Sequence, residues 1–173
     1  IVLIPEIALT YQTVMRFYNR FGNKVSIMNS RLSAGERYDQ YLRAKNGDID
    51  IMIGPRSALF APFSNLGLII IDEEHETSYK SEQVPKYHAR ETAIQLAKMT
   101  NSCVILGSAT PSLEAYAKAC SGEYKLLELK ERAKGAKLPE VEIIDLKEEM
   151  AAKNRSMFSR ALQREMAERL KRG

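Results

Sequence analysis

Five short apolar runs, rich in branched side chains, constrain the fold of this 173-residue chain more than any other feature. Most of these runs lack regular polar alternation, which predicts strands buried on both faces. Longer segments with helical spacing follow most of the runs. The pattern therefore predicts an α/β fold, with a mostly parallel sheet and helices on both of its faces. The predicted strands cover 1–5, 24–28, 49–54, 66–72 and 103–109, and the predicted helices cover 9–21, 33–45, 88–99 and 111–120.

The ends of the predicted helices carry further signals. Ser33 followed by Glu36 predicts a capping box, and Pro111 is predicted in the first turn of its helix. Two more strand-like runs, 124–129 and 141–146, precede a final amphipathic helix from about 159. The apolar stripe of this helix is interpreted as core packing, or as a surface whose partner lies elsewhere. The stripe consists of Phe158, Leu162, Met166 and Leu170.

Polar or glycine-rich clusters directly follow four of the predicted strands. The carboxyl ends of parallel strands meet at one edge of the sheet, where ligands of such folds bind. Turn residues also end strands for purely structural reasons, but four clusters at one edge favour a functional site. The clusters are Pro5-Glu6, Gly54-Pro55-Arg56-Ser57, Asp72-Glu73-Glu74-His75 and Gly107-Ser108-Ala109-Thr110.

The third cluster places three carboxylates in a row, Asp72, Glu73 and Glu74. Adjacent carboxylates repel one another, which costs free energy unless a cation or another partner compensates. A strand that runs into Asp-Glu is the arrangement a nucleoside triphosphatase needs: the aspartate holds Mg²⁺ through water and the glutamate orients the attacking water. A hydrolase with Asp72, Glu73 and His75 as direct metal ligands is less favoured, because adjacent residues of a strand point apart.

Asp-Glu-Glu-His at 72–75 with Gly-Ser-Ala-Thr at 107–110 resembles motifs II and III of superfamily 2 helicases. Over essentially the whole chain, the sequence is similar to one family of these enzymes, the bacterial replication-restart helicases (PriA, or primosomal protein N′). Two positions depart from that family's pattern: Pro55 replaces a threonine and Asn29 replaces a common histidine. The stretches that carry the resemblance are LIPEIALT (3–10), LSAGER (32–37), GPRSALFAPFSNLGLIIIDEEHETSYK (54–80), YHAR (87–90) and GSATPSLE (107–114).

The resemblance implies a role for each matching residue. Asp72 would coordinate Mg²⁺ through water, and Glu73 would be the catalytic base. Glu74 and His75 would complete the catalytic box, with His75 relaying to motif III. Ser108 and Thr110 would couple ATP hydrolysis to movement. The residues implied to face single-stranded DNA are Pro5, Glu6, Thr10, Arg56, Ser57, Tyr79, Lys80, Tyr87 and His88.

Several of these DNA contacts would come from one segment, 76–90, which corresponds to an aromatic-rich loop that senses DNA in relatives. An aromatic face stacks on a base and a cation meets a phosphate. Structural alternatives remain open here. Tyr79 and Tyr87 could pack the loop onto the sheet, and His88 could be an N-terminal helix residue. Arg56 could cap a helix or pair with Asp72, and Glu74 could be a solvated acid.

The resemblance also implies a RecA-like domain of the P-loop NTPase type from which the phosphate-loop strand is missing. Nothing in the chain matches G-x-x-x-x-G-K-[ST], and the chain opens inside a predicted strand. We therefore expect a fragment that is inactive by itself. It would comprise part of the first motor lobe (1–124), a strand-rich passage (125–155) and a helix leading into the second lobe (156–173). The implied cofactors are ATP and Mg²⁺, with zinc bound downstream of this chain.

The predicted function is part of an ATP-dependent 3′-to-5′ DNA helicase that restarts stalled replication forks through primosome assembly. Its implied partners are single-stranded and forked DNA, primosome proteins and single-strand-binding proteins. The fragment is also expected to self-associate through an exposed sheet edge at 103–109. Two alternatives stay open: another superfamily 2 translocase, such as a restriction-modification motor or an RNA helicase, and a non-catalytic module that binds nucleic acid or protein.

Overall charge does not by itself identify nucleic acid as a partner. The net charge is +4, but residues 1–124 carry 13 basic and 13 acidic side chains, so the excess lies wholly in 125–173. No apolar run approaches the ~20 residues of a membrane span, and no signal-peptide pattern is present, so a cytoplasmic protein without a membrane partner is expected. Cys103 and Cys120 are interpreted as buried thiols in a reducing compartment.

Overall fold

The computed structural model describes residues 1–6, 8–131 and 139–172. Its strands are β1 (Val2–Leu3), β2 (Val25–Ile27), β3 (Ile51–Gly54), β4 (Leu68–Ile71) and β5 (Cys103–Leu106). They form one sheet in the order β2-β3-β1-β4-β5, and all neighbouring strands are parallel. The predicted parallel sheet is confirmed, with each strand shorter than its apolar run.

The described residues form six α-helices. Ser33 accepts a hydrogen bond from the amide of Glu36, whose side chain accepts from the amide of Ser33, so the predicted capping box is confirmed. The prediction that Pro111 lies in a helix is wrong, because Ser112 caps that helix and Pro111 precedes the cap. The helices are α1 (Tyr11–Phe21), α2 (Ala34–Asn46), α3 (Ala89–Thr100), α4 (Leu113–Cys120), α5 (Leu146–Ala151) and α6 (Arg160–Arg172).

Buried side chains on the two faces of the sheet form separate clusters, since successive residues of a strand point to opposite faces. On one face, Leu3 and Ile69 pack with Ala93 of α3. On the other face, Val2 and Ile53 pack against Phe17 of α1. Helices therefore cover both faces, as predicted.

The strand β5 lies at an edge of the sheet, and no strand in the described part of the chain pairs with its outer side. The two strand predictions that could have covered this edge are wrong. Residues 124–129 are irregular and mostly exposed, and 141–145 are irregular before Leu146 begins α5. Apolar content alone does not make a strand, because strand backbone groups need a neighbouring strand with which to pair.

We expect a polypeptide of these 173 residues to self-associate through β5, because an unpaired apolar edge recruits other strands. The Ile105 side chain on this edge is 45% exposed. Ile105→Lys should shift the polypeptide toward monomer, since an edge lysine opposes strand pairing. Light scattering measures the mass, and Tyr38→Lys, at an exposed position on α2, is the matched control. A monodisperse monomer of the unsubstituted polypeptide would contradict the expectation.

The chain divides into two compact units, Ile1–Leu126 and Leu127–Gly173. The sheet belongs to the first. In the second, the buried carboxylate of Glu149 on α5 accepts hydrogen bonds from the amide of Arg160 (2.8 Å) and from Asn154 Nδ2 (2.7 Å). The division into 1–124, 125–155 and 156–173 stays a prediction. The predicted core packing of the apolar stripe at 158–170 is wrong, because each of its four side chains is at least 45% exposed.

Both cysteines are exposed, so the prediction of buried thiols is wrong. Cys103 lies on the edge strand β5, where nothing in the described chain covers it, and Cys120 is the last residue of α4. Within the described ranges, every helix is too short or too polar to cross a bilayer.

Candidate active site

The carboxyl ends of β1, β4 and β5 meet at one point of the sheet. The amide of Asp72 donates to the carbonyl of Leu3 (2.9 Å), and the amide of Gly107 donates to the carbonyl of Ile71 (2.8 Å). These bonds place the Asp-Glu-Glu-His turn beside the Gly-Ser-Ala-Thr loop. The two clusters that the sequence predicted at one edge therefore lie together.

Asp72 and Glu73 begin the turn that follows β4. Asp72 is exposed, and its Oδ1 accepts a hydrogen bond from the amide of Glu73 (3.1 Å). Glu73 has a φ of 48°, in the left-handed region, which costs a residue other than glycine on the order of 1 kcal/mol. The amide of Glu76 closes the turn on the Glu73 carbonyl (2.9 Å). Strain of this kind is common at functional sites, and here it falls on the candidate base.

His75 joins this turn to the loop that follows β5. Its Nδ1 lies 2.7 Å from Ser108 Oγ and 3.7 Å from Glu73 Oε2. Ser108 Oγ also accepts a hydrogen bond from the amide of Thr110 (3.0 Å). The imidazole thus connects the candidate base to the candidate coupling loop. The contact that a relay through His75 requires is present, while the relay itself stays a prediction.

Glu74 points away from this solvent-facing group and is only 2% exposed. Its Oε2 accepts hydrogen bonds from Arg90 Nη1 (2.9 Å) and Ser112 Oγ (3.0 Å), and its Oε1 accepts from the amide of Ser112 (2.6 Å). The alternative of a solvated acid is wrong. A carboxylate saturated in this way cannot reach a nucleotide, so a direct catalytic role for Glu74 has no support in the structure.

Arg56 follows β3, and its side chain binds backbone carbonyls of the 76–90 segment. Its Nη1 donates to the carbonyls of Ser78 (2.7 Å) and Lys80 (3.0 Å). The Arg56 side chain therefore neither caps a helix nor pairs with Asp72 in the described residues, and both structural alternatives are wrong. The predicted phosphate contact stays a prediction, and it would have to coexist with them.

Tyr79 is packed inside the protein, as the structural alternative proposed. Its side chain is 1% exposed, and its hydroxyl donates to the carbonyl of Asp72 (2.7 Å). Burial, followed by the nearby carboxylates, raises the pKa of Tyr79. A ring in this position cannot stack on a base without leaving the core, so the DNA contact predicted for Tyr79 is not supported.

The other DNA candidates of this segment are more accessible. Lys80 is exposed, and Tyr87 is half-buried with its ring against the edge of Phe60, at a centroid distance of 5.2 Å. Burial raises the pKa of Tyr87 even though the Arg56 guanidinium opposes the shift. His88 caps α3: its Nδ1 accepts from the amide of Arg90 (3.2 Å) and lies 3.0 Å from Glu91 Oε2. His88 therefore lies at the N-terminal end of a helix, as the structural alternative proposed.

The remaining DNA candidates also lie at carboxyl ends of strands or at helix starts. Pro5 is buried, and Ser57, in a short 3₁₀ helix (Arg56–Phe60) that follows β3, is exposed. Glu6 accepts a hydrogen bond from the amide of Ser30 (2.8 Å), and hydrogen bonds from Ser30 lower the pKa of Glu6. Thr10 is the N-cap of α1. An ionised Glu6 repels phosphate. Its hydrogen bond with Ser30 instead anchors the loop at 29–33.

The donors at the site fit a magnesium ion held mainly by water and phosphate. Among the described residues, no group of three or more His, Cys, Asp and Glu side chains could hold a metal, so the direct metal hydrolase is not supported. Mg²⁺ keeps several waters and binds through one or two carboxylates together with substrate phosphates. The exposed carboxylate of Asp72 at the end of β4 suits that mode of binding.

Sequence reasoning singled out neither Arg90 nor Ser112, although both lie in stretches that carried the resemblance. Arg90 is 7% exposed, which is rare for an arginine without a partner. The available signal was an arginine that shares the buried face of its helix with Ala89, Ala93 and Ala97. Its partner lies sixteen positions away, and that separation cannot be read from a sequence pattern.

A family model described as DEAD/DEAH box helicase matches residues 1–119, the part of the chain that contains all five strands and the site. Replication restart protein PriA of Bacillus subtilis (strain 168) is 51% identical over the whole chain. The PriA proteins of Synechocystis sp. and Chlamydia pneumoniae are 48% and 46% identical over 97% and 100% of the chain.

The chain spans only 21% to 23% of the length of these three relatives. The similarity runs through both motif clusters and through the segment between them. This chain belongs to the DEAD/DEAH box helicase family, and over its length it is similar to replication restart proteins.

Proposed function

We propose that this chain is the motif Ia to motif III part of the first motor lobe of an ATP-dependent DNA helicase, which moves 3′ to 5′ and restarts stalled replication forks. The observation that carries the proposal is the turn after β4. It presents Asp72 and Glu73 at the carboxyl edge of the sheet, while His75 contacts Ser108 on the loop after β5. A module that only binds nucleic acid needs no such link between an acidic turn and a neighbouring loop.

The proposed chemistry assigns one task to each of these side chains. When bound, Mg²⁺–ATP would supply the phosphoryl group, and the positive charge of the ion would offset the carboxylates of Asp72 and Glu73. Asp72 is the residue that would hold Mg²⁺. Glu73 accepts a hydrogen bond from the attacking water and orients it. His75, between Glu73 and Ser108, transmits the state of the nucleotide site to the loop that carries Ser108 and Thr110.

The 76–90 segment, together with Thr10 at the start of α1 and Ser57 in the 3₁₀ helix Arg56–Phe60, is proposed to face single-stranded DNA. Lys80 and His88 would meet phosphates, and the half-buried ring of Tyr87 would present its accessible part to a base. The other partners proposed for the whole protein are forked DNA, primosome proteins and single-strand-binding proteins in the cytoplasm. Its phosphate-binding loop and zinc site are proposed to lie outside this chain.

The test compares ATP hydrolysis by the 173-residue polypeptide and by the full-length protein that carries it, with and without single-stranded DNA. The full-length protein should hydrolyse ATP faster when DNA is added. The polypeptide alone should hydrolyse none, because amides and a lysine of the absent loop supply most of the contacts to the triphosphate. A full-length protein that binds DNA without hydrolysing ATP would favour the non-catalytic module, and DNA-stimulated hydrolysis by the polypeptide would refute the expected inactivity.

A further inference from the structure

We infer that Glu74, Arg90 and Ser112 form a positioning clamp that holds the two loops of the proposed ATPase site in register and ties that register to the 76–90 segment. The inference rests on the proposed function. None of the three residues is assigned here to contact nucleotide or DNA. The clamp acts through the residues beside them in the chain.

The three side chains converge on one buried point. Arg90 Nη1 donates to Glu74 Oε2 (2.9 Å) and to Ser112 Oγ (2.6 Å), and Ser112 Oγ donates in turn to Glu74 Oε2 (3.0 Å). The backbone joins the same arrangement, since the amide of Ser112 donates to Glu74 Oε1 (2.6 Å) and the amide of Glu74 donates to the carbonyl of Gly107 (3.0 Å). Five hydrogen bonds therefore connect three segments that are distant in sequence.

Each segment carries a part of the proposed motor. Glu74 stands between Glu73 and His75, so fixing its side chain in the interior fixes the turn that presents both neighbours. Ser112 is the N-cap of α4 and follows the loop that carries Ser108 and Thr110. Arg90 lies in the first turn of α3 and is the last residue of the 76–90 segment. A shift of that segment would be passed through Arg90 to both loops at once.

Burial makes the clamp sensitive to the loss of any one member. Glu74 is 2% exposed and Arg90 is 7% exposed, so the Glu74 carboxylate depends on Arg90 and Ser112 instead of on water. Arg90 also pairs with Glu91 (Nη2 to Oε1, 3.1 Å). Buried ion pairs add little net stability compared with well-packed apolar side chains of similar volume. Hydrogen bonds are directional, so bonds from one guanidinium to two loops fix the position of one loop relative to the other. A site in which two loops must act together needs that fixed position.

The test uses the full-length protein with Arg90→Lys, Arg90→Ala and Glu74→Gln. Lysine keeps the charge but lacks the planar guanidinium, whose Nη1 contacts Glu74 and Ser112 while Nε and Nη2 contact Glu91. Glutamine keeps the shape of Glu74 and removes its charge. The matched control is Glu149→Gln, which neutralises another buried, arginine-paired carboxylate in the second unit. Melting temperature, the KM for ATP, and kcat with and without single-stranded DNA are measured for each variant.

We expect Arg90→Ala and Glu74→Gln to lower DNA-stimulated kcat by about ten- to a hundredfold, the effect of misplacing reacting groups by about 1 Å. The KM for ATP should change by less than about twofold, because neither residue binds ATP. Arg90→Lys should recover part of the loss, and Glu149→Gln should leave all kinetic constants unchanged. A lower melting temperature with unchanged kcat and an unchanged DNA stimulation ratio would show a merely structural role and overturn the inference.

A second measurement separates the clamp from the proposed function. Hydrogen exchange should accelerate at the amides of Glu74 and Ser112 in Arg90→Ala, because both amides donate within the clamp, while amides of β2 and β3 should keep their rates. Unchanged exchange at Glu74 and Ser112 would overturn the clamp whatever the activity. If the unsubstituted protein shows no ATP hydrolysis, the proposed function fails, and so does the inferred role of the clamp in it.

Discussion

Glu73→Gln in the full-length protein is expected to slow DNA-stimulated ATP hydrolysis by about 10²- to 10⁴-fold, the contribution typical of a positioned general base. Glutamine keeps the size of the side chain, but it cannot accept the proton of the attacking water. Nucleotide binding should stay within about twofold of the unsubstituted protein, because the group acts on water and not on ATP. Single-turnover hydrolysis and equilibrium nucleotide binding together measure the two effects.

Glu76→Gln is the matched control for this substitution. Glu76 is the same residue type three positions further on, and its hydrogen bonds here come from its backbone: its amide donates to the Glu73 carbonyl (2.9 Å) and its carbonyl accepts from the Tyr79 amide (3.2 Å). It should retain hydrolysis near the unsubstituted rate. If Glu73→Gln kept more than about a tenth of the rate, the lost transition-state stabilisation would be under about 1.4 kcal/mol and Glu73 would not be the base.

Tyr79→Ala is expected to lower the free energy of unfolding by about 3–5 kcal/mol, the usual cost of truncating a fully buried aromatic ring. Tyr79→Phe should cost only about 1 kcal/mol, because it removes one hydrogen bond, to the Asp72 carbonyl, and leaves the ring in place. Urea unfolding of the 173-residue polypeptide, followed by circular dichroism, measures both. The solvent-exposed Tyr38 supplies the control, since Tyr38→Ala should change stability by less than about 0.5 kcal/mol.

The same pair of variants decides between packing and base stacking at Tyr79. Stacking on DNA contributes about 1–3 kcal/mol per base and requires an accessible face. A Tyr79→Ala protein with unchanged stability and a lost response to DNA would restore the stacking interpretation. Tyr87→Ala offers the comparison, because it removes a half-buried ring. It should lower the DNA stimulation of ATP hydrolysis, and it should lower the free energy of unfolding by less than Tyr79→Ala does.

The Asp-Glu-Glu-His cluster shows how far sequence reasoning reached at the site. Its position at the carboxyl end of a buried strand followed from the apolar run before it, and its proximity to Gly-Ser-Ala-Thr followed from parallel topology. The different environments of the acids could not be predicted. The left-handed conformation at Glu73 and the burial of Glu74 against Arg90 separate two adjacent, chemically similar side chains.

The errors outside the site share one cause. The runs at 124–129 and 141–146 look like strands locally, and Cys103 sits in a run that looks buried, but each of these outcomes depends on what covers the segment. Among the described residues, no strand pairs with the outer side of β5, and the two apolar runs have no sheet to join. The local sequence pattern shows which residues a segment contains. It does not show which other segment will pack against it.

The sequence by itself determined the five strands, their parallel arrangement, the capping of α2 and the edge of the sheet where the polar clusters meet. These follow from apolar periodicity and from turn residues, which act over a few positions. Only the tertiary structure decided that Tyr79 is core, that Arg56 holds backbone carbonyls and that Glu74 binds Arg90 and Ser112. Those outcomes depend on contacts between residues 7 to 38 positions apart, and such contacts form only once the sheet has brought the segments together.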